Sequence, residues 1–566
     1  MPRGAGSSAD GESMQAMPTI SLLHFGLQRL LGPLADKELR VASRRVRSYA
    51  LRSGYIVLLC ILMLSAWYHI VGVQNASAVA FGVSRASVVS TQVAGRVILF
   101  QFVAAQLIAA LMLSSSMGEE LRRGTLGVLL TTPITSIHIV VGKLLSGLLQ
   151  IVLLLGIGLP ALAVLRVLGG LSWEDVFAAF WVTLAAAVFA ASLSLLLSTY
   201  YRHSFQAISA GAVVYLALFV GLPFLAACLV AAGALNQPVT LSVLDLTNPF
   251  RALYDVVPRV PPVPAAGVGS FFSWPIHCLI MAGAAAAVSC VSVRRIRRVA
   301  IGRRFGTRRE PWAIERLWGS PVAWKEDPCV HVLRKGTIPI VVAASVACVL
   351  LIVTKVARGG PLAIYPYYEL GGLWLVAFLR LAIATAGGIA AEKESGAWPV
   401  LLTTSLDERQ ILWGKARAAL RRDAVMLLSL LAIEVCLLFS QVGSRELPGA
   451  VAYALARLAA VVLVLGAGLY FGVRLRTTTA AVTAALVTFL CVNYFIVGQY
   501  SPLSAWWLAK ILASYVNRPN SGTTSVSSNY LQLYGLATMG SAFVLDVALG
   551  LFLWRRARRN VRAYVF

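Results

Sequence analysis

The sequence predicts an all-α polytopic membrane protein of about 12 transmembrane helices, built as two like-oriented six-helix repeats. Three observations carry that expectation. The 566 residues are 58% hydrophobic and only 13% charged, where a soluble domain has about 25% charge. Apolar runs of about 20 residues recur along the chain, long enough to cross about 30 Å of hydrocarbon. The stretch Glu120 to Lys143 returns without a gap at Glu392 to Lys415, with ten of 24 positions identical. Average residue usage gives roughly two identities by chance.

The first residues, 1–19, are small and polar and read as a disordered cytoplasmic tail. Ile20 to Leu31 is too short to span and has helical apolar spacing, which fits an interfacial helix. Pro33, Lys37 and Glu38 follow, then an arginine run from Arg40 to Arg52 that marks the near side of the first span as cytoplasmic. First-half spans are expected near 53–74, 96–117, 143–168, 175–199, 207–233 and 271–292. The loop 73–95 has one Arg and no Lys and reads as external, and Tyr200 to His203 as an internal turn. The stretch 235–270 reads as an external loop with a short helical piece after Asn248-Pro249-Phe250. Eight arginines between Arg294 and Arg309 close the sixth span on the inside.

Pro321, Lys325 and Glu326 repeat the Pro-x-Ala-x-Lys-Glu of residues 33–38 in the same place relative to the next span. Second-half spans are expected near 337–356, 368–391, 418–441, 449–473, 477–499 and 536–554. The loop 499–534 reads as external, with Trp506 and Trp507 on an interfacial helix and a turn region over 517–529. Arg555, Arg556, Arg558 and Arg559 end the chain on the inside. Two units follow, 20–310 and 311–566, each of six crossings.

The formal net charge of +26 sits beside the spans, with no basic stripe carrying interleaved aromatics. It fits topology-setting loops against anionic lipid heads and not nucleic acid. Seven of the eight cysteines fall within apolar spans and Cys329 near a membrane edge, without a C-x-x-C pair. The six histidines are scattered without ligand spacing, so no metal or cofactor site is expected.

The repeated stretch carries the functional expectation. Charged residues such as Glu119, Glu120, Arg122 and Arg123 cost about 2.5–3.5 kcal/mol each at the bilayer centre, so this segment lies outside it. A helix is expected from about Glu120 to Leu130, with the acid in its first turn. A Thr/Pro break follows, then a second helix entering the membrane. In the second copy Ser405 to Glu408 has capping-box spacing, and Lys143 or Lys415 would snorkel to the interface. The matched residues are Glu120, Gly124, Leu129, Leu130, Thr131, Thr132, Gly142 and Lys143, against Glu392, Gly396, Leu401, Leu402, Thr403, Thr404, Gly414 and Lys415.

Glu-x3-Gly-Thr-x3-Leu-Leu-Thr-Thr-Pro followed by Gly-Lys resembles the signature of ABC-2 type permeases, the membrane subunits of ABC transporters. The repeat-start motifs, the six-span unit and the Asn/Ser-Pro before the last span are similar to that family as well. The resemblance implies a transport subunit, an exporter, of a bacterial inner membrane, with both termini cytoplasmic. It also implies that loops 119–143 and 391–415 dock separately encoded ATPase subunits, in two copies, which bind the ATP. The second copy departs at Ala397-Trp398-Pro399 and Ser405, so the two docking sites are not identical. Gly142-Lys143 and Gly414-Lys415 lack the upstream glycine of a phosphate-binding loop and lead into apolar spans, so the chain itself is not expected to hydrolyse ATP.

Two other classes compete. A major-facilitator transporter also has six plus six spans. Its short Gly/Asp/Arg loop resembles residues 118–124, but not the second copy, and its substrate path would carry buried charge. Arg380, Glu434 and Asp546 are the in-span candidates. A membrane-embedded enzyme would need clustered catalytic side chains, and Asp245, Asp255 and His277 lack such spacing.

Overall fold

Lipid offers the backbone no hydrogen-bond partner, so each apolar run has to close its own ladder as a helix. The computed structural model describes residues 52–64, 82–123, 135–169, 171–201, 204–223, 246–257, 274–302, 365–442, 447–496 and 525–563, with isolated positions between. Among them there is no strand, and six helices are long and apolar enough to cross a membrane. The protein is an all-α polytopic membrane protein. The expected span 337–356, both interfacial helices and residues 33–38 lie outside the described residues, as do Lys325 and Glu326; Pro321 is helical.

In chain order the first half holds α1 (Arg52–Leu64), α2 (Gly82–Arg123), α3 (Ser136–Val167), α4 (Trp173–Ser198), α5 (Ser204–Leu216), α6 (Pro249–Val256) and α7 (Trp274–Gly302). The second half holds α8 (Tyr365–Ala382), α9 (Gly388–Glu394), α10 (Ala397–Leu402), α11 (Glu408–Val442), α12 (Leu447–Arg474), α13 (Thr478–Leu490) and α14 (Ser525–Asn560). A π-helical turn, Ile383–Gly387, joins α8 to α9. Two more, Ala217–Gly221 and Cys491–Ile496, follow α5 and α13.

Two expected loops are partly helix. Residues 82–95 open α2, and 525–534 open α14. Hydropathy marks where a helix is apolar, whereas the backbone ladder continues into polar sequence wherever nothing breaks it. The short external helix is α6, where the Asn248 side chain accepts from Phe250 N at 2.9 Å and Pro249 opens the first turn. Ser172 and Asp175 form a reciprocal capping box at the start of α4.

In the first half α4 is central, packing on α2, α3, α5, α6 and α7. In the second half α12 takes that place against α8, α11, α13 and α14. The halves meet through α5, which packs on α8, the Ile383–Gly387 turn, α9 and α13, and through α2, which packs on α13. By position around the repeat, α2 corresponds to α8–α9 and α5 to α13. Both halves therefore present equivalent helices to each other.

The closest helix contact is between α12 and α14. Gly466 and Gly550 lie against each other's backbones, and a Cβ on Gly466 would strike the Gly550 carbonyl. Small residues allow this approach, which lipid-embedded helices use in place of a hydrophobic drive. Gly466→Ala is expected to force the helices apart and cost about 1–3 kcal/mol. A lowered midpoint of thermal unfolding in detergent checks it.

Candidate functional site

The second copy of the repeat is described throughout. In the first, residues 124–134 lie outside the described residues, so Gly124, Leu129, Leu130, Thr131 and Thr132 are not placed.

Glu120 lies in the last turn of α2, and Glu392 in the last turns of α9. The acid therefore does not open the loop helix as expected; it ends the spanning helix. A carboxylate there is unfavourable to the helix dipole, and a lysine compensates it in each copy. Lys143 Nζ lies 2.7 Å from Glu120 Oε1, and Lys415 Nζ lies 2.8 Å from Glu392 Oε1. Lys143 also donates to the Ser116 carbonyl at 3.2 Å. The lysines are buried, at 6% and 4% side-chain exposure, and the glutamates are 19% and 12% exposed. The expected snorkelling is corrected: both lysines turn inward, because each finds a carboxylate and stays neutralised. Gly142 and Gly414, beside them, are buried too.

The third-span helices start in register. Thr135 caps α3, its hydroxyl accepting from His138 N, and Asp407, the matched residue, precedes α11. Gln410 reaches back to Asp407 N at 3.3 Å. The side chain that reaches back to the start of α11 is thus Gln410 and not Glu408, which pairs with Arg562 at 2.9 Å.

Between the paired residues the second copy turns sharply. Gly396 sits in the left-handed region, φ 73°, where a side chain is strained. α10 follows, with Trp398 fully buried among Ile389, Ile411, Leu412, Leu469 and Ala557. Leu401 and Leu402 are half-buried on it, Val400 is 66% exposed, and Thr403, Thr404 and Ser405 are exposed. α10 is thus anchored by one indole and presents a small mixed surface.

Two residues missed by sequence reasoning fix this segment to its neighbours. Lys393 donates to the Val473 carbonyl near the end of α12, and Glu394 accepts from Thr478 N at 2.7 Å at the start of α13. Each charge meets the helix end of opposite partial charge. The matched residues in the first copy are Leu121 and Arg122, which cannot repeat both bonds. That divergence was the available signal.

The in-span charges flagged from sequence are mostly paired. Arg380 donates twice to Asp423 Oδ1, at 3.1 and 2.8 Å, with side chains 7% and 0% exposed. Arg457 meets Glu434 at 3.2 Å. Asp546 is buried on α14. Among the described residues no group of three metal-ligating side chains forms.

A buried Glu–Lys clamp closes each span-two/span-three hairpin, and in the second copy a short exposed helix lies across its open end.

No curated protein matches the chain. The ABC-2 family transporter protein profile matches residues 33–299, which include the first repeat-start motif and the first Glu-to-Lys segment. Permeases of that family generally work with ABC ATPase subunits. The match covers just under half of the chain, and with the apolar helices it supports an integral-membrane permease of the ABC-2 type.

Proposed function

We propose that the chain is two fused ABC-2 permease units, 20–310 and 311–566, following a cytoplasmic tail, 1–19. The pair forms an exporter of a bacterial inner membrane, with both termini cytoplasmic. Two copies of a separately encoded ATPase dock at loops 119–143 and 391–415, and this chain binds no cofactor. ATP binding draws the ATPases together, the loops move with them, and the halves rock about the contacts of α5 with α8 and α13.

The carrying observation is the Glu–Lys clamp found in both copies. A connector needs no buried ion pair; a lever that moves spans two and three as one body does. The exposed Val400, Thr403 and Thr404 fit a docking face on α10. The major-facilitator alternative loses support because Arg380 and Glu434 are held in side-chain pairs within the second half.

The test is tagged purification from the native membrane. An ABC ATPase is expected to co-purify. Leu129→Asp with Val400→Asp is expected to weaken its association about tenfold, or about 1.4 kcal/mol, while the protein still inserts. Absence of any ATPase, with export unchanged in the double variant, would sink the reading.

A further inference from the structure

The exposed ridge at the start of α11 differs in kind between the halves. In the second half it reads Arg409, Trp413, Arg417 and Arg421, at successive four-residue steps, all exposed. The matched ridge on α3 is Ile137, Val141, Leu145 and Leu149, of which Ile137, Val141 and Leu149 are exposed. The same face of the same span thus offers hydrocarbon in one half and arginine in the other. The expected absence of a basic stripe with aromatics is corrected here: Arg409, Trp413, Arg417 and Arg421 form one on a single helix, and the far end of the chain adds to it.

That other side is α14. Trp554 meets Trp413 edge-on, with ring centroids 5.2 Å apart, and Arg562 pairs with Glu408 at 2.9 Å. The two contacts make the helices antiparallel, and they set exposed Arg558 between them. Side chains lean toward the N-terminus of their own helix. Arg417 therefore leans toward the start of α11, Arg558 leans the opposite way, and both converge on the level of the Trp pair. In the first half the residue matching Trp554 before the double-arginine motif is Val293.

Of the nearby acids, Glu408 is in the Arg562 pair and Asp423 turns inward to Arg380, while exposed Asp407 stands at the start of α11. One turn beyond Arg421 the same exposed surface becomes Val425 and Leu428, 39% and 65% exposed. The surface thus runs from guanidinium through indole to hydrocarbon. An acidic protein surface would match the arginines but not Val425 and Leu428. A phospholipid with a net negative headgroup matches both: arginine binds phosphate bidentately, and tryptophan settles at the headgroup boundary.

We propose that this ridge binds one anionic phospholipid, its phosphate held by Arg417 and Arg558 beside the Trp413–Trp554 pair, with Arg409 adding positive charge one turn away, and its acyl chains against Val425 and Leu428. The assignment to the cytoplasmic leaflet rests on the orientation proposed above; the site itself does not.

The full chain is purified in detergent and titrated with phosphatidylglycerol or phosphatidylcholine in mixed micelles. Native mass spectrometry reads bound lipid, and thermal unfolding reads stabilisation. Phosphatidylglycerol is expected to stay bound and raise the midpoint, and phosphatidylcholine is not. Arg409→Gln/Arg417→Gln/Arg558→Gln is expected to lower phosphatidylglycerol affinity at least about tenfold, with Arg417→Gln alone lowering it in the same direction. The pair Ile137→Gln/Val141→Gln, on the matched ridge, is expected to leave it unchanged. Equal retention by the triple variant, or equal binding of phosphatidylcholine, overturns the proposal. So does full displacement by inorganic phosphate, which would make the site one for a free anion. Loss of the ATPase with lipid retained would make it a protein contact and overturn it too.

Discussion

Arg380→Ile is expected to destabilise the protein by about 3–5 kcal/mol, because it leaves the Asp423 carboxylate buried in the membrane without its cation. Arg380→Ile/Asp423→Ile is expected to recover most of that loss. The expectation comes from the chain itself. Counting back by the interval between Glu120 and Glu392, Arg380 falls on Ile108 and Asp423 on Ile151, and Ile151 is fully buried in α3. The first half thus fills the same place with hydrocarbon. Thermal unfolding of the two single variants and the double variant in detergent forms the cycle. If the double variant is as unstable as Arg380→Ile, the pair has a role that apolar volume does not replace.

Such pairs show how much of this molecule the sequence carried. Its spans were legible because hydropathy reports membrane depth directly: α11 and α12 cover their expected ranges, α3 and α4 end within one residue of theirs, and α13 with its π-helical turn holds 478–496 of the expected 477–499. The register of the repeat was legible as well, and it holds down to the residues before the third spans, Thr135 and Asp407. What meets what was not legible. Glu120 and Lys143 are visible as repeat ends, yet spacing does not say that the helix of span two runs on to carry the acid to the lysine. Trp398 looked like a departure from a motif. In the fold it anchors α10 on residues from α9, α11, α12 and α14, which no local pattern connects. Arg380 was legible only as an isolated in-span charge for the same reason: its partner Asp423 lies on another helix. Arg409, Trp413, Arg417 and Arg421 stand at helical spacing in the sequence, but their neighbour Trp554 was hidden because it is far away along the chain. Residues 124–134 lie outside the described residues, so half of the proposed docking surface rests on the repeat alone.

Removing both clamp lysines, as Lys143→Met/Lys415→Met, is expected to separate ATP hydrolysis from export. Under the proposed function the exposed face of α10 and its first-half counterpart are unchanged, so the ATPases still bind. What changes is the connection between that face and the spans. Spans two and three then no longer answer the loop as one body, and a coupling free energy of about 1–3 kcal/mol is at stake. That corresponds to a five- to 150-fold fall in export per ATP hydrolysed. Restoring charge with arginine is expected to rescue part of it, because the glutamates still find a cation. Coupling is reciprocal for binding, so occupancy of the permease should also lose its effect on nucleotide affinity in the double variant. A clamp that only stabilised the fold would lower expression and the thermal midpoint and leave that ratio unchanged. The unequal anchoring adds a direction. α9 is bolted to α12 and α13 through Lys393 and Glu394, and the first copy has Leu121 and Arg122 there. Lys143→Met alone should therefore uncouple more than Lys415→Met alone, since the second loop keeps the Lys393 and Glu394 connections to its bundle, which Leu121 and Arg122 cannot both repeat.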